Sequence, residues 1–124
     1  MSNNLKNIIY WVLTGLIALV FIGSAVGKLT ADDNSLTLAE GFGLNAQTYT
    51  FLGIIEIISI ILFIIPRTGI LGTLLLAAFM GGAIATHLEH AQSVIAPCII
   101  QAFVWMVAIY RFPELLTRIL KTDK

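Results

Sequence analysis

Residues Ile8–Gly27 read IIYWVLTGLIALVFIGSAVG, twenty residues without a formal charge, held between Lys6 and Lys28. At about 1.5 Å per helical residue such a run covers the roughly 30 Å of a bilayer core. Three further apolar stretches follow. One runs from about Thr48 to Ile65 and stops at Pro66-Arg67, the next from Gly69 to Thr86, and the last from about Ala91 to Tyr110, ahead of Arg111 and Pro113. Only Glu56 carries a formal charge inside any of them.

Composition says the same. Of the 124 residues 58% are hydrophobic and 11% charged, and the mean hydropathy is +0.94, too apolar for an ordinary soluble domain. A buried helix in a soluble bundle explains any one span, but four of them leave too little polar surface to clothe a soluble fold. Backbone crossing hydrocarbon must satisfy its own hydrogen bonds, and no alternating barrel pattern is present, so the spans read as helices. The expectation is an all-α fold: a single tetraspan membrane domain over 1–124, a four-transmembrane-helix bundle with approximate spans 8–27, 48–65, 69–86 and 91–110. The first run is longer than a secretory signal core and reads as a retained helix.

Charge sets the expected orientation. An even number of spans gathers Lys6, Arg67, Arg111, Arg118, Lys121 and Lys124 on one face, against Lys28, Asp32, Asp33, Glu40 and Glu89 on the other. The positive-inside rule then puts both termini in the cytoplasm of a cell membrane, most simply a bacterial inner membrane. The basic tail reads as an anchor to anionic lipid, with no nucleic-acid partner called for.

The connections are unequal. Pro66-Arg67-Thr68 is a tight turn, whereas residues 29–47 form a long outward linker. Asn34 or Ser35 could cap a short helix there, with Gly41 and Gly43 ending it and Phe42 and Leu44 lying on the bundle, either as a lid or as a plain interfacial connection.

Lys28, Glu56 and His87 fall at one level of the bilayer, with Glu56 roughly 12 Å into its span. A carboxylate at that depth is costly in lipid, so it must face the bundle interior and find a donor or carry a proton. These three are the ligand-binding candidates, with Ser24, Gly53, Ile60, Met80 and Ala83 as candidate cavity-lining residues. Each has an ordinary alternative. Glu56 could be a polar bridge between helices, Lys28 a snorkelling anchor, His87 a solvated loop residue and the apolar positions simple packing. Gly15, Gly23, Gly27 and Gly53 suggest close helix approach, with Gly23 and Gly27 in GxxxG spacing. His87-Leu88-Glu89-His90 lacks the spacing of a helical zinc motif, so no metal is expected. Cys98 is the only cysteine, which leaves neither an internal disulfide nor a paired-thiol mechanism.

Gly23-Ser24-Ala25-Val26-Gly27-Lys28-Leu29, Gly53-Ile54-Ile55-Glu56, Pro66-Arg67-Thr68-Gly69 and the run Phe79-Met80-Gly81-Gly82-Ala83-Ile84-Ala85-Thr86-His87 occur in an order that resembles the DoxX-like family of small four-helix membrane proteins. The resemblance implies a tetraspan fold. Some members are associated with oxidation of sulfur compounds and transfer to quinone, so a quinone-linked membrane oxidoreductase subunit is the alternative it implies, with quinone as the cofactor in that case. The residues themselves contain no haem motif or nucleotide loop, and no cofactor is otherwise expected. They point first to a module that binds a small lipophile, or supports a complex, through an outer-leaflet pocket. No catalytic residue is assigned. The partners expected are membrane lipids and a lipophilic ligand or membrane-protein partner, with homo-oligomerisation left open.

Overall fold

The computed structural model describes residues 2–120, which form six α-helices. These are α1 (Asn3–Thr30), α2 (Asp33–Gly41), α3 (Ala46–Ile64), α4 (Gly69–Glu89), α5 (Ile95–Arg111) and α6 (Pro113–Leu120), with a 3₁₀ turn at Pro66–Thr68 between α3 and α4. Lys121 and Lys124 of the basic tail lie outside the described residues.

Three helices, α1, α3 and α4 with its leading turn, are long and apolar enough to cross a membrane. The expected fourth span corresponds to α5, which has 17 residues and bends through 105° into α6. Only the bent pair together would count as a fourth crossing. The bend has a local cause. Pro113 restricts the residue before it, and Phe112 accordingly leaves the helix at φ −129° and ψ 80°.

The N-termini of α1, α2 and α3 are capped by short polar side chains, which accept from otherwise unpaired amides. Ser2 Oγ accepts from Leu5 N at 3.1 Å and Asn45 Oδ1 from Thr48 N at 2.7 Å. The cap of α2 is Asp32, whose Oδ1 accepts from Ser35 N at 2.7 Å. The expected caps, Asn34 and Ser35, sit inside that helix, since Asp32 precedes them with the same chemistry.

Ile17 and Phe21 of α1, Ile60 and Phe63 of α3, Leu76 and Met80 of α4, and Val104 and Val107 of α5 form the core. The reverse faces carry exposed large apolar residues at mid-helix, among them Leu19, Ile58, Leu74 and Met106. In water those faces would be unstable; in hydrocarbon they are solvated. The chain is an integral membrane protein.

Of the four glycines expected to permit close helix approach, Gly27 and Gly53 do so and Gly15 and Gly23 do not. Nothing lies within 4 Å of a Cβ built on Gly15 or Gly23, because both point out of the bundle. Gly27 instead faces Ser35 of α2, and Gly53 faces Lys28, Leu29 and Ala25 of α1. The tightest approach to a neighbouring backbone is at Gly72, where a Cβ would fall 2.2 Å from Phe63 N. This draws α3 and α4 together at their turn end.

That same end holds a buried cation. Arg111 is 6% exposed, and its Nη1 and Nη2 donate to the carbonyls of Phe63 and Ile64 at 2.7 and 3.2 Å. It caps the C-terminus of α3, where helix carbonyls lack internal partners. The rings of Tyr10, Phe63 and Phe112 lie 4.6–4.9 Å from the guanidinium carbon. The sequence places Arg111 among the basic residues of one face and says nothing of its burial. Arg111 is the last residue of α5 and folds back beneath the bundle instead of projecting away from it.

Candidate functional site

At the opposite end the helices part. Lys28, in the last turn of α1, and Glu56, in the middle of α3, meet at 3.0 Å between Nζ and Oε1, with Glu56 2% exposed. Lys28 Nζ also donates to Ser24 Oγ at 2.6 Å, and that hydroxyl donates to Glu56 Oε1 at 3.3 Å. Ser24 and Lys28 are four residues apart, so one face of α1 presents both. Gly53 stands on the same side of α3 as Glu56, three residues earlier, and brings the helices near enough for contact. An ion pair with a shared hydroxyl is how a charged group is kept inside an apolar medium.

Aromatic rings complete the surroundings of the ammonium. Nζ lies 5.2 Å from the centroid of Tyr49 and 5.8 Å from that of Phe79, distances of cation–π contact.

The pair lies on the wall of a cavity of about 610 Å³. Phe21, Met80 and Ile100 line its side toward the core, and Leu38, Phe42 and Leu44 of the α2 connector line another. Ser24, Lys28, Glu56, Met80, Ala83 and His87 are all on its wall. Gly53 and Ile60 are not. Gly53 is spent on the contact with α1, and Ile60 is fully buried in the core below.

His87 reaches the cavity from the last turn of α4. Its Nδ1 donates to the Ala83 carbonyl at 2.6 Å, which leaves Nε2 as the acceptor of the neutral ring. Phe42 packs against it at a tilt of 53° with centroids 4.5 Å apart, and His90 meets the same phenyl edge-on at 6.5 Å. The connector is fixed by these rings and by Gly43, whose φ of +70° suits glycine and turns the chain beside His90.

The wall is open on one side. Leu52 and Ile55 of α3 and Leu75, Ala78 and Gly82 of α4 belong to the lining, and Ala78 and Gly82 are exposed. The α3–α4 pair is tight at Gly72, whereas a Cβ on Gly82 would meet nothing within 4 Å.

Sequence reasoning missed Tyr49; it placed Phe42 against the bundle, as observed, but not beside His87. Tyr49 was available from periodicity, standing seven residues, or two helical turns, before Glu56 on the same face. Phe42 depends on the path of a connector, which has no such repeat.

No curated protein and no solved structure matches this chain. Residues 12–108 match the model of the DoxX-like family, a stretch that includes the ion pair, the cavity and every candidate residue named above, and the chain belongs to that family.

Proposed function

We propose that the protein binds a small lipophilic molecule in an outer-leaflet pocket, alone or as the ligand-holding part of a membrane complex. The observation that carries this reading is the cavity of about 610 Å³ in which an apolar wall meets the Lys28–Glu56 pair. Ligand sites typically fall in the range of roughly 300–1,000 Å³, mostly apolar with a few converging polar groups. The exposure of Ala78 and Gly82, both in the lining, supports entry from the lipid.

Charge supports the orientation. Lys6, Arg67, Arg111 and Arg118 belong to one end, and Lys28, Asp32, Asp33, Glu40 and Glu89 to the other. With both termini in the cytoplasm of a bacterial inner membrane, the cavity lies in the outer leaflet and α2 lies over it as a lid.

Native mass spectrometry of the purified protein, followed by solvent extraction, tests the reading. A retained lipophile is expected, with occupancy altered in Glu56→Gln while the helical content stays unchanged. Consistently empty wild-type protein, or unchanged occupancy in the variant, would remove the role given to Glu56.

The Lys28 ammonium beside the Tyr49 and Phe79 rings also supports a second reading, a quinone-linked oxidoreductase subunit, since it could donate to a quinone carbonyl. Substrate-dependent reduction of a supplied quinone by the protein or its isolated complex distinguishes the two. Binding without electron transfer rejects the second.

A further inference from the structure

We infer that the cavity selects an uncharged amphiphile whose head both donates and accepts a hydrogen bond, of the alcohol, phenol or monoacylglycerol class, over fatty acids and alkylamines. This rests on the reading of the cavity as a lipophile site and names the class of ligand for it.

The first ground is charge. Among the lining residues Lys28 and Glu56 are the formally charged ones, counting histidine neutral, and they already neutralise each other at 3.0 Å. A fatty acid would bring a second anion beside Glu56, and an alkylamine a second cation beside Lys28. Between Phe21, Leu52, Phe79 and Met80 the added charge would have no counter-charge that is not already paired. An unpaired charge in such surroundings is strongly disfavoured.

The second ground is the hydrogen-bond inventory. Lys28 and Ser24 both donate to Glu56 Oε1, and Oε2 makes no hydrogen bond among the described residues. Nor is Oε2 sealed in, because the fully buried side-chain atoms without a partner are Gln101 Oε1 and Arg111 Nε. An ammonium has three hydrogens; here one goes to Glu56 and one to Ser24. The wall therefore presents an acceptor, Oε2, beside a donor, the third hydrogen of Nζ. A hydroxyl matches both at once, its hydrogen to Oε2 and its oxygen to Nζ. An ether or ester oxygen alone leaves Oε2 unmatched, and a polar group buried without its partner is penalised.

The test places the full-length protein in phosphatidylcholine nanodiscs at about pH 8. It measures binding of radiolabelled 1-dodecanol, dodecanoate and dodecylamine, each corrected for uptake by empty nanodiscs. Dodecanol is expected to bind at least about tenfold more tightly than either ion. Glu56→Gln leaves the ammonium alone and is expected to raise dodecanoate relative to dodecanol by about tenfold; Lys28→Met is expected to do the same for dodecylamine. If either ion binds the wild type as tightly as dodecanol, the inference falls while the lipophile site stands. If none of the three binds above empty nanodiscs, the site reading falls too. An unchanged preference in folded Glu56→Gln also overturns the inference, and should a variant fail to fold, the wild-type ranking decides.

Discussion

Lys28 Nζ and Glu56 Oε1, 3.0 Å apart, tie the last turn of α1 to the middle of α3 in surroundings from which solvent is largely excluded. Removing one partner leaves the other as a buried lone charge. Lys28→Met is expected to destabilise the bundle by about 3–5 kcal/mol. Adding Glu56→Leu to it should recover most of that loss, because no charge is then stranded. Thermal unfolding in detergent, followed by circular dichroism, measures both. A double variant as unstable as the single one would mean that lost packing, not lost charge balance, causes the effect.

Gly72 and Gly23 form a matched pair of glycines with opposite environments. Gly72→Ala puts a methyl group 2.2 Å from the backbone nitrogen of Phe63 and should cost about 2 kcal/mol or more through overpacking. Gly23→Ala meets nothing within 4 Å and should leave the melting temperature unchanged or slightly raised, alanine being the better helix former. The same melts decide, and equal losses at the two positions would contradict the packing described.

Arg111 is held by the Phe63 and Ile64 carbonyls. Arg111→Ala is expected to lose about 3 kcal/mol, the scale of hydrogen bonds from a charged group. Arg111→Lys should fall between, since it keeps the charge but cannot reach two carbonyls with one planar fork. A lysine variant as stable as wild type would show that charge alone suffices.

Orientation is measured by cysteine labelling in a Cys98→Ala background. With both termini cytoplasmic, a membrane-impermeant maleimide added to intact spheroplasts labels Thr37→Cys on α2 and leaves Arg67→Cys, in the 3₁₀ turn, unlabelled until lysis. Both positions are exposed. The reverse pattern would place the cavity in the inner leaflet.

The membrane-spanning helices and the level of Lys28, Glu56 and His87 were readable because hydropathy and helical rise are one-dimensional quantities that tertiary packing does not alter. Glu56 had to face inward, and Lys28, one helix away at the same depth, was its natural partner. Gly23 and Gly53 were harder. Which glycine meets a neighbour depends on the rotation of each helix about its axis, and in a lipid-exposed helix apolar residues occupy both faces, so the pattern gives no phase. Arg111 was hidden for a related reason, since a cation at a helix end has the same sequence appearance whether it projects into water or folds under the bundle. The bend at Phe112-Pro113 had a visible signal. Beyond it, Leu115, Leu116, Ile119 and Leu120 gather on one face of α6, away from Glu114 and Arg118, the pattern of a helix lying in the membrane interface.

The central claim is that the space between α1, α3 and α4 holds a lipophile, and the most direct measurement fills that space. Ala83 lines the cavity, and Ala83→Phe would project a ring into it. Solvent extraction and mass spectrometry of wild type and Ala83→Phe, purified side by side from the same membranes, should give a bound lipophile near one per chain in the first and less than about a tenth of that in the second, with similar melting temperatures. Equal occupancy in the two proteins would contradict the claim.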